Sequence, residues 1–138
     1  MKKLSKIILA LSVLLVLNCG KSEFGQIGKI MNESNKTTER FIKDIDKAEN
    51  AKEVAKILSS FSESMVSIKN KLELYKREDP EMAAIVDRMG EPPEELKKTF
   101  AKSDELRGQL LDETIFVALN YIDDPDVAKA LKLFENVF

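Results

Sequence analysis

AKEVAKILSSFSESMVSIKNKLELYKRE, residues 51–78, places Val54, Leu58, Phe61, Met65, Ile68, Leu72 and Tyr75 at steps that alternate four and three. Such steps keep one apolar face along a helix of about 25 residues. Ala55, Ile57 and Leu74 widen that face beyond a two-stranded coiled-coil seam, so the stretch predicts one member of a helical bundle. Asn50, followed three residues later by Glu53, supplies a start signal of the capping-box kind.

Helical periodicity continues in both directions. Upstream, Phe24, Ile27, Ile30 and Met31 are followed by Phe41, Ile42, Ile45 and Ala48, with a polar middle at 32–38. That middle is either an interruption or a weak stretch of a first helix. In a continuous helix Ser34 and Thr38 fall on the inner face, where their hydroxyls reach the carbonyls of the preceding turn. Gly25 and Gly28 stand isolated in this amphipathic segment and make no phosphate loop.

Downstream, Asp79 and Pro80 open a short helix that ends near Gly90. Met82, Ile85, Val86 and Met89 give it an apolar face, read either as a cap on one end of the bundle or as an adaptable binding surface. Pro92 and Pro93 precede another long helix with Glu94 and Glu95 in its first turn. Its inner face is expected at Leu96, Phe100, Ser103, Leu106, Leu110, Thr114, Val117 and Tyr121, broadened by Leu111, Ile115 and Phe116. Gly108 inside this run implies either close approach of a neighbouring helix or a kink, because glycine there costs about 1 kcal/mol relative to alanine. Asp123, Asp124 and Pro125 repeat the cap-and-proline start for a last helix carrying Val127, Ala130, Leu131, Phe134, Val137 and Phe138. The expected fold is all-α, with three long helices and two short ones in a compact bundle over residues 24–138.

Composition removes much of the usual chemistry. The 138 residues include no histidine, no tryptophan and one cysteine. Without histidine the familiar serine arrangement is impossible, and Ser64 with Lys69 has the wrong spacing to meet on one helix face. Asp123, Asp124 and Asp126 lack the glycine and further spaced ligands of a calcium loop. Asp44 and Asp46, two apart, do not share a face, which makes them solvated charge rather than an acid/base pair. No catalytic residue, metal site or cofactor-binding residue is expected, and the chain is not expected to be an enzyme.

The single cysteine has a context of its own. MKKLSKIILALSVLLVLNC, residues 1–19, combines the lysines 2, 3 and 6 with an apolar run over 7–17, the pattern of an export signal. The run is too short to span a bilayer, which needs about 20 apolar residues. The plain alternatives are a cleaved signal with an incidental cysteine, or an uncleaved anchor. VLNC, residues 16–19, resembles a bacterial lipobox, with Val16 in the aliphatic place and Cys19 last. Leu17 and Asn18 are larger than the common pattern, as in the relaxed boxes of spirochaete, and especially leptospiral, lipoproteins. The resemblance implies cleavage before Cys19, a diacylglyceryl thioether on its sulfur and an acyl group on its new amine. It divides the chain into a signal peptide (1–18), a lipidated start and short tether (19–23) and the bundle.

The first 18 residues hold three of the 22 basic residues and none of the 24 acidic ones. The remainder carries 19 against 24, a formal net charge of −5, which opposes nucleic-acid binding. Within the body, NAKEVAKIL (50–58), KLELYKREDPEM (71–82), PPEELKKTF (92–100) and YIDDPDVAKAL (121–131) look like small helical proteins exported by bacteria. That likeness supports a compact bundle and carries over no catalytic residue. The functional expectation is a lipid-anchored envelope protein, outer membrane rather than inner, since Gly20 follows Cys19 where an aspartate would favour retention. Its partners would be membrane lipid through Cys19 and an unidentified envelope or host protein. The alternative is a periplasmic module or chaperone-like adaptor for an apolar ligand or peptide, with 81–89 as its lid.

Overall fold

A computed structural model describes residues 24–88 and 91–137, except for the side chains of Ile85 and Val86. Five helices and no strand occur among the described residues: α1 (Gly25–Ile45), α2 (Ala51–Glu78), α3 (Pro80–Arg88), α4 (Glu94–Tyr121) and α5 (Pro125–Glu135). The all-α bundle follows the apolar periodicity, and the caps fall where the sequence places them. Asn50 Oδ1 accepts the Glu53 amide at 3.0 Å, while Glu53 Oε2 accepts the Glu49 amide, so the capping box closes one residue earlier than its usual form. Asp79 Oδ1 accepts the Met82 amide at 3.0 Å, and Asp124 Oδ1 accepts those of Asp126 and Val127. Each such cap stabilises its helix by about 1 kcal/mol.

α1 is continuous, so its polar middle is no interruption. Thr38 Oγ1 donates to the Ser34 carbonyl at 3.0 Å, and Ser34 Oγ lies 4.0 Å from Met65 Sδ. Between these residues Asn35 is buried and spans to α4. Its Nδ2 donates to the Thr99 carbonyl at 3.2 Å, and Ser103 Oγ donates to its Oδ1 at 2.8 Å. A segment that propensity alone marks as weak is held by bonds to another helix.

α1 packs against both α2 and α4, α5 lies mainly on α2, and α3 folds back on the end of α2. Glu33 pairs with Lys71 at 2.6 Å while Phe41 meets Phe61, so α1 runs antiparallel to α2; Gly28 lies against Leu96 while Glu39 pairs with Lys102 at 3.3 Å, so it runs parallel to α4. Two apolar clusters fill the bundle. The upper one joins Phe41, Val54, Leu58, Phe61, Val117, Val127 and Phe134, with the rings of Phe41 and Phe61 4.6 Å apart and those of Phe61 and Phe134 5.5 Å apart. Such ring pairs add about 0.5–1.5 kcal/mol beyond the area they bury. The lower cluster joins Ile27, Ile30, Ile68, Tyr75, Met82 and Leu96.

Three expectations change. Leu74 is exposed rather than part of the α2 face, because it lies about 100° round from Tyr75 and no helix covers that side. Gly108 meets no heavy atom within 4 Å of a Cβ placed on it, and α4 runs unbroken through it. The close approach occurs instead at Gly28, where a Cβ would stand 3.2 Å from Leu96 Cδ2. Finally, Leu111, Ile115 and Phe116 do not broaden the inner face of α4; all three are at least half exposed or nearly so.

Candidate functional site

Of the residues singled out from the sequence, Cys19 and Met89 lie outside the described residues, as does the segment 1–18. Ile85 and Val86 belong to α3, and their side chains also lie outside the description. Met82 is buried in the lower cluster against Tyr75, Ile68 and Leu96. It packs into the end of the bundle and is 8% exposed. A cleft of about 260 Å³ does border Met65, Phe100 and Leu110, but Ser34, Asn35, Thr38 and Ser103 line it as well. Among the described residues, none of α3 borders it.

Among the described residues no three carboxylates gather to hold a metal ion, and no helix is long and apolar enough to cross a membrane. Asp124 is occupied as a helix cap. A wider groove between α1 and α2, about 430 Å³, has Phe41, Ile57 and Phe61 at its floor. Arg40, Lys47 and Lys56 alternate there with Asp44 and Glu53, so the groove favours no one sign of charge.

The feature that stands apart is the second half of α4. Among the described residues, five of the eight exposed large apolar side chains fall within 111–122: Leu111, Ile115, Phe116, Leu119 and Ile122. Leu111, Ile115, Leu119 and Ile122 are spaced four, four and three apart, which sets them in one row. Leu106 and Val117, almost fully buried, mark the opposite side of the helix. Helix α4 is thus apolar on two faces over this length, and among the described residues only one of them is covered. Leu119 is 79% exposed, the most open of the set.

Beside the row lies a cleft of about 290 Å³ whose walls are Ile45, Val54, Phe116 and Tyr121 and whose remaining lining includes Asp46, Asp112 and Glu113. The Phe116 and Tyr121 rings meet edge-on at 6.5 Å. Burial raises the Glu113 carboxyl above its ordinary value, and the charges of Asp46 and Asp112 raise it further. Sequence reasoning missed this grouping because Asp46 and Glu113 belong to helices far apart in the chain. The available signal was the run of apolar residues around all sides of 110–119, too rich for a single buried stripe.

Compared with protein-family models, with curated proteins and with solved structures, the chain gives no match.

Proposed function

We propose that this chain is a lipid-anchored protein of the bacterial cell envelope whose helical bundle serves a non-catalytic interaction or structural role. The observation that carries the interaction half is the exposed row on α4, a single coherent apolar patch on a bundle whose two cores are otherwise filled. Patches of this kind mark contact sites more often than they occur idly. The anchoring half is supported by the sequence of 1–19, in which a basic start and a short apolar run end at the only cysteine. Acylation at Cys19 would attach the domain firmly, each buried methylene contributing about 0.8 kcal/mol. The outer membrane is the favoured address, on the strength of Gly20 after Cys19. A spirochaete-type lipoprotein is the class this proposal implies.

The reading as an apolar-ligand module with a methionine-bearing lid draws less support, since Met82 is packed inside the lower core. Mass spectrometry of the mature N-terminus tests the anchor: the expected product starts at Cys19 and carries the mass of the acyl groups. Cys19→Ser is expected to free the domain from washed membranes with its helical content intact. Retention of that variant in the membrane fraction would refute the anchor.

A further inference from the structure

We infer that the outer face of α4 is a docking surface for a cationic amphipathic helix of a partner protein, its apolar stripe lying along Leu111, Ile115, Leu119 and Ile122. This deepens the interaction role proposed above and rests on it. The row covers 12 residues, with about 17 Å between its ends, which matches about three turns of an incoming helix.

Charge decides the occupant. Residues 104–126 contain seven acidic side chains and one basic one, Arg107. Arg107 lies 4.0 Å from Asp104, and Glu105 is held by Lys102 at 3.3 Å. No cation among the described residues pairs with Asp112, Glu113 or Asp123. Asp46 across the cleft adds to this excess and, after burial and together with Asp112, raises the Glu113 carboxyl. A lysine or arginine entering the cleft would meet these carboxylates at its charged end and the Phe116 and Tyr121 rings along its stem.

The same charges disfavour the other occupants. A second copy would set the acidic flank against itself, and an anionic bilayer surface would be repelled. Gly108 sits on the same line as the row, one turn before Leu111, with nothing near it inside the bundle. A glycine that weakens an exposed helix without local reason is accounted for if a partner backbone comes close there.

The test uses the full chain in neutral phosphatidylcholine vesicles and two synthetic helical peptides. Both carry leucines at i, i+4 and i+7; one is flanked by lysines and the other by glutamates. The lysine peptide is expected to bind, to weaken as salt is raised, and to lose about tenfold in affinity on Ile115→Asp. The pair Asp112→Asn with Glu113→Gln should weaken it several-fold, and the glutamate peptide should not bind. Leu119→Ser, at the most exposed position, repeats the loss with the least disturbance to folding, which circular dichroism checks. Equal binding of both peptides, binding of neither, or indifference to Ile115→Asp and Leu119→Ser would overturn the inference. So would self-association of the chain abolished by Ile115→Asp, or a preference for phosphatidylglycerol vesicles lost with the same variant. Peptide binding by a Cys19→Ser chain that stays with washed membranes would sink the anchor while leaving the docking surface standing. The reverse pattern would do the opposite.

Discussion

Helices α2 and α4 have the same length, 28 residues, and similar apolar content, yet they are used differently. α2 lies between α1 and α5 with α3 at its end, and it buries Val54, Leu58, Phe61, Ile68 and Tyr75. α4 rests chiefly on α1 and buries Leu96, Leu106 and Val117. What separates them is neighbours, not hydrophobicity: a helix enclosed on several sides hides one stripe completely, whereas one at the margin can keep a second stripe in water. The second stripe should cost the fold little when removed, and that is what makes it informative about contacts outside the chain.

The sharpest break of this contrast pairs a truncation on each helix. Phe61→Ala is expected to lose about 3–5 kcal/mol in urea unfolding, because it empties the centre of the three-ring cluster. Ile115→Ala should change stability by less than about 0.5 kcal/mol. Comparable losses from both would mean that the α4 row is buried after all. Next in size is Asn35→Ala, which removes the polar link from α1 to α4 and should cost about 1–3 kcal/mol. Hydrogen exchange should show the added opening concentrated in α4 rather than in α2.

Gly108→Ala should act the other way, raising stability by about 0.4–1 kcal/mol, since the methyl group meets nothing and the unfolded chain loses freedom. The smallest effect belongs to Glu113→Gln. A carboxyl whose folded value lies above its ordinary 4.5 binds its proton more readily in the native state, so stability falls as pH rises through that interval. The penalty is complete above the folded value and absent below 4.5. Glu113→Gln should therefore melt slightly higher than the parent chain at pH 7 and level with it in acid.

Much of the fold is legible in the residues because local signals agree. The four-and-three steps of 51–78 and the capping side chains Asn50, Asp79 and Asp124 each specify a feature that needs only near neighbours. Asn35 was hidden for the opposite reason: its partners, Ser103 and the Thr99 carbonyl, lie on another helix, and in the sequence it reads only as a poor helix former. The candidate surface was illegible in the same way. Leu111, Ile115 and Phe116 look like extra core residues until Val117 and Leu106 show which side of α4 is already taken. Asp46 reads as ordinary surface charge until α1 carries it across to Glu113.

The parallel course of α1 and α4 has a mechanical meaning. The Phe24 amide donates to Glu95 Oε1 at 3.1 Å, so the described chain begins level with the start of α4, while Ile115 stands about 30 Å further along the same axis. Were the chain held at a membrane through Cys19, as proposed, the apolar row would stand at the end of the bundle far from the attached one. Shortening α1 and α4 together by whole turns would then draw the row toward the headgroups by about 5 Å per turn.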